Sequence, residues 1–163
     1  MTKSFILTNF SNKTVLDDWK VVNDGVMGGK SHGHFSTDTA NAIFEGNVSL
    51  ENNGGFSLVR HQMKTLDVSK FTTFVIKLKG DESRYQFRIK HKTEDDYAYV
   101  FYFKTSGNWE TISISIAEMY PTFRGRKLNM PNFGNDTIEE IAFLIGNKTE
   151  QQFKLLIDGI YLK

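Results

Sequence analysis

Two runs of strict alternation constrain this chain more than anything else in it. Phe74, Ile76 and Leu78 alternate with Lys77 and Lys79, and Tyr85, Phe87 and Ile89 alternate with Gln86, Arg88 and Lys90. A period of two puts one apolar face and one polar face on each run, as in a half-buried strand. Gly80 to Ser83 between them carries turn chemistry, so the pair is expected to form an antiparallel hairpin.

The rest of the chain agrees with strands. Fourteen Phe, 6 Tyr and 13 Gly against 2 Pro favour extended segments punctuated by glycine turns. Further strands are expected over Phe5 to Asn9, Trp19 to Val22, Gly33 to Ser36, Ala42 to Leu50 and Gly55 to Arg60. Others follow over Tyr97 to Lys104, Trp109 to Ile116, Glu140 to Ile145 and Gln152 to Leu162. Helical turns are confined to Asn12 to Asp18 and to Ser115 to Tyr120, which stops at Pro121. With 163 residues, 39% of them hydrophobic, and no linker or repeat, the expectation is a single all-β sandwich domain over 1–163.

Charge and composition exclude several functions. Twenty basic residues against 19 acidic ones, a net +1, leave no electrostatic footprint for nucleic acid in the composition. No apolar run approaches the roughly 20 residues of a membrane span. Met1 to Asn12 lacks the features of a signal peptide, so a cytoplasmic location is expected. The absence of cysteine removes disulfides, thiolate metal sites and thiol nucleophiles.

Asn23 to Ser31 (NDGVMGGKS) ends like a phosphate-binding loop, but Asp24 stands where that motif needs its first glycine, and the segment leads into a strand, not a helix. It reads first as a tight glycine-rich connection and second as a place where a ligand or strand approaches the backbone. His32 and His34 share one strand face and read as solvated, and Glu94 to Asp96 reads as a solvated tip without the spacing of a calcium loop. No metal, cofactor or catalytic residue is indicated. Tyr97 to Phe103 has no polar face, which suits a strand covered on both sides or an aromatic platform for a sugar or partner. Phe123 to Arg126 is expected in irregular structure. There Arg124 and Arg126 would clamp a carboxylate or phosphate, or pin the loop to Asp81 or Asp158.

Taken in order, Trp19 to Ser31 (WKVVNDGVMGGKS), Phe44 to Gly46, Asn52 to Arg60, Gly80 and Asp81 with Arg84 and Tyr85, and Pro121 to Arg126 (PTFRGR) resemble the complex I intermediate-associated protein family. The resemblance runs from about residue 5 to the C-terminus and rests most on VMGG and TFRGR. It implies a jelly-roll-like antiparallel β-sandwich of the galactose-binding-domain type. It also implies a non-enzymatic binding role, since mitochondrial members act as chaperone-like factors in assembly of the respiratory NADH dehydrogenase and have no established catalytic residues. The Lys- and Asn-rich, cysteine-free composition suggests a free-standing bacterial member.

The expected partner is therefore a protein, respiratory-complex subunits among the candidates, with a carbohydrate or small ligand as the alternative. A nucleotide-binding or enzymatic role on Asp24 to Ser31 is a distant third. The candidate contact residues are Asn23, Asp24, Met27, Gly28, Gly29 and Ser31 as one wall. Asn52, Asn53, Gly54, Gly55, Arg60, Arg84, Arg124 and Arg126 are the candidate neighbours. The rival reading of the same residues is an internal polar network that fixes the turns.

Overall fold

The computed structural model describes residues 5–9, 18–23, 29–38, 40–51 and 55–163. They form thirteen strands: β1 (Phe5–Asn9), β2 (Trp19–Asn23), β3 (His32–Thr37), β4 (Ala42–Val48), β5 (Ser57–Asp67), β6 (Thr73–Lys79) and β7 (Arg84–Lys90). The others are β8 (Ala98–Lys104), β9 (Trp109–Ser115), β10 (Tyr120–Phe123), β11 (Arg126–Lys127), β12 (Thr137–Ile145) and β13 (Gln151–Leu162). The expected turn before Pro121 is a 3-10 helix over Ile116–Glu118. The turn expected over Asn12 to Asp18 lies, except for Asp18, outside the described residues.

The strands make two antiparallel sheets, one ordered β3-β4-β13-β6-β9 with β1 also on β13, the other β11-β10-β8-β7-β12-β5-β2. The alternation expected at β6 and β7 is present, but the hairpin is not. β6 pairs with β13 and β9 in one sheet, and β7 pairs with β12 and β8 in the other. Their apolar faces meet across the core, Phe74 against Phe87 at 4.9 Å between ring centroids. Gly80 to Ser83 therefore carries the chain from one sheet to the other. Alternation dictates which face is buried and says nothing about which strand lies alongside.

The core is assembled from register. Val21, Val59, Phe143, Phe87 and Phe101 lie opposite one another across five strands of the seven-stranded sheet. Phe44, Phe74, Ile76, Leu78, Leu155 and Ile157 face them from the other sheet, all fully buried. Two segments differ from expectation. β5 continues past Arg60 to Asp67, although His61 to Thr65 lacks an apolar alternation, because β12 supplies a ladder partner and a register shift between Ile138 and Glu140 absorbs the extra residues.

Phe123 to Arg126 is not irregular: β10 and β11 form a hairpin in which Arg124 (φ 50°) and Gly125 (φ 79°) take the left-handed conformations of a primed turn. Pro121 is tolerated because its carbonyl, which accepts from the Leu128 amide at 2.9 Å, faces the short hairpin. Its nitrogen points the same way, so the ladder to β8 loses nothing.

Asp81 closes the crossing between the sheets. Its carboxylate accepts from the Tyr85 hydroxyl at 3.0 Å and from the Lys154 amide of β13 at 2.9 Å. Burial pushes the Tyr85 phenol far above its ordinary value of 10.0, and the Asp81 carboxylate adds to the effect. The unfolded chain releases this proton near pH 10 while the fold retains it, so stability falls as pH rises above that value. Burial pushes Tyr99 and Tyr120 in the same direction. The melting temperature should decline above about pH 10, and less steeply in Tyr85→Phe. Equal slopes in the two proteins would reject the assignment.

Candidate functional site

The residues expected to form one wall separate into different roles. Asn23 ends β2, and its Oδ1 accepts from the Ser57 hydroxyl at 2.6 Å and from the Gly33 amide at 3.0 Å, tying the two sheets together. Ser31 is buried, and its hydroxyl donates to the Ser49 carbonyl at 3.2 Å and accepts from the Ser49 amide at 2.9 Å. Gly29 and Gly55 are half-buried in the connections that lead into β3 and β5. Asp24, Met27, Gly28, Asn52, Asn53 and Gly54 lie outside the described residues. Replacing Asn23 by Ala leaves the Gly33 amide without its acceptor, and we expect a loss of about 2 kcal/mol by urea unfolding. A change below about 0.5 kcal/mol would show that the tie carries little.

The arginines do not converge on that wall as a set. Arg84 pairs with Lys104 at the end of β7 and β8 that also holds Asn23, Ser57 and Ile145, and its Nε donates to Asn147 at 3.3 Å. Arg124 lies beyond Ala98 at the opposite end, because Thr122 is the register partner of Ala98. Among the described candidates a single cluster is therefore corrected: Arg84 shares the end of Asn23, Arg124 and Arg126 lie at the other, and Arg60 lies within the sheet, opposite Lys20 and Ala142. Nor does Asp81 pin Arg124 or Arg126, since it sits with Arg84 at the first end and is occupied by Tyr85 and Lys154. The Arg124 guanidinium instead rests over the Phe123 ring at 5.2 Å.

The most elaborate polar arrangement lies on the outer face of the seven-stranded sheet. Register sets Lys20, Arg60, Ala142, Arg88, Val100 and Tyr120 side by side across six strands. Two residues along, Val22, Leu58, Leu144, Gln86 and Tyr102 form a second row. Gln62, Glu140 and Lys90 form a third.

Polar groups here are locked together although they point away from the core. Gln86 is 8% exposed and Glu140 5%. The Gln86 amide donates to the Tyr102 hydroxyl at 3.2 Å and its Oε1 accepts from Arg88 at 2.9 Å. Glu140 accepts from Gln62 at 3.0 Å and lies 4.0 Å from an Arg60 nitrogen. The Arg84 guanidinium covers the Tyr102 ring at 4.5 Å, and Lys127 covers Tyr120 at 5.1 Å. Burial lowers the Arg88 pKa, with the Glu140 carboxylate pulling against it. A desolvated guanidinium held by one amide is a strong donor waiting for an acceptor.

Arg60 and Arg84 were legible as candidates; Lys20, Gln86, Arg88, Tyr102, Tyr120 and Glu140 were not. Their only local signal is long polar side chains at alternate positions, which reads as an ordinary solvated face. In Tyr97 to Phe103, Tyr99 and Phe103 are buried in the core, and Tyr102 is the ring of that strand that reaches the outer face. Among the described residues no group of three or more His, Asp or Glu could hold a metal, and no helix is long and apolar enough to cross a membrane.

Residues 8–157 match the protein family described as complex I intermediate-associated protein 30 (CIA30). Mouse mitochondrial complex I intermediate-associated protein 30 is 23% identical over 98% of this chain, and the chain spans 56% of the mouse protein's length. Among solved structures, the family 11 carbohydrate-binding module of the Clostridium thermocellum cellulosomal cellulase Lic26A-Cel5E superposes with a TM-score of 0.77 at 18% identity, over 99% of this chain and 95% of that one. The same organism's family 11 module in complex with a β-1,3-1,4-mixed-linked tetrasaccharide gives 0.73 at 17%, over 98% and 94%. An agarase, AgWH50C, gives 0.66 at 12%, over 99% of this chain and 24% of the enzyme. At these identities the likeness is one of fold, a jelly-roll β-sandwich.

Proposed function

The chain belongs to the complex I intermediate-associated protein 30 family, and on that premise we propose that it is a non-catalytic binding module that docks a protein client on the outer face of its seven-stranded sheet. One observation carries the reading: Gln86 and Glu140 are nearly sealed on a face turned away from the core, within a network that fixes Arg88, Arg60 and Tyr102. A surface whose polar groups are already ordered loses little entropy when a partner arrives. The client, by analogy with the mouse relative, is sought first among respiratory-complex subunits. Its binding shifts populations by mass action and needs no covalent chemistry.

The test is co-purification from the native host after gentle crosslinking, with wild type, Lys20→Glu/Arg60→Gln and Arg124→Ala/Arg126→Ala compared after each is shown to fold. Enrichment of a client that the first variant loses and the second keeps supports docking on the sheet. The reverse pattern moves the contact to the β10–β11 hairpin and rejects it.

A second reading, a carbohydrate-binding domain, is favoured by Tyr102 and Tyr120 on the same face and by the resemblance in fold to carbohydrate-binding modules. Retardation of the chain in a native gel that contains mixed-linked β-glucan would support it, and unchanged migration would remove it.

A further inference from the structure

We propose that the occupant of this face is an acidic amphipathic helix of a protein partner, with its carboxylates over the Lys20, Arg60 and Arg88 row and its apolar flank over Val22, Leu58 and Leu144. The inference rests on the docking reading above and adds the chemistry of the partner.

Charge is the first support. Although the whole chain carries only +1, the three rows and Arg84 beside them hold Lys20, Arg60, Arg84, Arg88 and Lys90 against the single carboxylate of Glu140. That carboxylate is already taken by Gln62 and Arg60. Arg88 commits one guanidinium nitrogen to Gln86, and the Arg60 Nε is buried with no hydrogen-bond partner. A guanidinium offers five donors, so both arginines retain capacity for a carboxylate. Between them stands Ala142, fully buried, so a carboxylate reaches the two guanidiniums from above and not through the gap between them.

The second row decides what kind of anion. Val22, Leu58 and Leu144 are adjacent, half-buried and aliphatic. A sugar polymer seeks aromatic faces, and the first ring in this row is Tyr102, two strands beyond Leu144. Aliphatic contacts beside guanidiniums suit a polypeptide that carries both Leu-like and acidic side chains.

Spacing decides its conformation. Positions two apart on a strand are about 7 Å apart, and six strands about 4.8 Å apart make rows of about 24 Å. A helix about 10 Å wide lies over two such rows at once, and about 16 residues cover their length. An extended segment turns alternate residues to opposite sides and would serve one row only.

The test titrates the isotopically labelled full chain with a synthetic helix of about 16 residues, Leu on one flank and Glu on the other, and follows backbone amide shifts. We expect shifts at Leu58, Ala142 and Leu144, and affinity about tenfold weaker for Lys20→Glu/Arg60→Gln and for a peptide with Gln in place of Glu. Because Arg60→Gln disturbs the partner of buried Glu140, the exposed Lys20→Glu alone is the second variant, with an expected loss of about threefold. Lys154→Glu on the other sheet should bind as wild type.

Equal weakening by Lys154→Glu would reduce the effect to general charge attraction and overturn the proposal. Equally tight binding of polygalacturonate at the same amides would also overturn it, in favour of an acidic sugar polymer. Shifts on this face with mixed-linked β-glucan and none with the acidic helix would remove the acidic partner yet leave the face as a docking site. A client that crosslinks to the β10–β11 hairpin would remove the docking reading itself.

Discussion

Phe87→Ala should cost about 4 kcal/mol, the value for emptying a fully buried phenylalanine site. Phe87 is wholly buried where the two sheets meet, 4.9 Å from Phe74 of the opposite sheet and 5.3 Å from Phe143 of its own. Both neighbours belong to strands with ladder partners on each side, so neither is free to collapse into the space. Native domains hold only about 5–15 kcal/mol in all, and a melting temperature lower by roughly 10 °C is expected. Urea unfolding should show a lower midpoint at unchanged slope. Phe87→Leu, which keeps most of the volume, should lose less than half as much. Similar losses for the two variants would mean that the aromatic contacts, not the volume, hold the sheets together.

The second large effect comes from adding a single methyl group. At Gly46 a Cβ would overlap the His32 carbonyl and crowd the Gly33 Cα, both backbone atoms of β3, so no side chain can swing aside. Gly46 lies opposite Gly33 on β3 and Phe153 on β13, inside the sheet and not at its edge. Gly46→Ala must push β3 off its neighbour, and with it Gly33, which Asn23 holds to the other sheet. A loss of about 3 kcal/mol is expected, at the upper end for overpacking. Amide exchange should rise first in His32 to Thr37. Gly134, where the nearest atom to a new Cβ is the Asn132 carbonyl oxygen at 3.9 Å, is the control. Gly134→Ala should change stability by less than about 0.5 kcal/mol. Exchange that rises uniformly along the chain in Gly46→Ala would argue against this local origin.

The two glycines also show what the sequence could and could not reveal. Gly33 and Gly46 face each other from strands whose existence was legible from alternation and composition, yet their close approach is a property of the pairing. β6 and β7 make the same point more sharply. Each was recognised residue by residue, and the turn between them was recognised too, but side-by-side pairing was the wrong inference from correct strands. A half-buried strand carries its own burial pattern, whereas its neighbours are chosen by the whole set of faces that must be covered. Strand pairing over long sequence separations leaves no local mark.

The candidate site obeys the same limit. Arg60 and Arg84 were visible because they fall within motifs, while Arg88 and Lys20 come beside Arg60 only through register across β7, β12, β5 and β2. Glu140 and Gln86 look like solvated positions in sequence and are among the more sealed polar residues in the structure. The β10–β11 hairpin was missed for a different reason. Proline normally argues against a strand, and here it is placed so that its missing donor faces a partner of two residues.

The position of β13 has a consequence for how the chain reaches this state during synthesis. It comes last among the described strands, yet it lies between β4 and β6, and β1 joins it as well. Until residues 151–162 leave the ribosome, β4 and β6 have no common neighbour, and each exposes an edge that could capture another chain. Closure of the six-stranded sheet thus waits for the synthesis of residues 151–162. Its contacts span much of the sequence, which places folding in the slower, millisecond-to-second class.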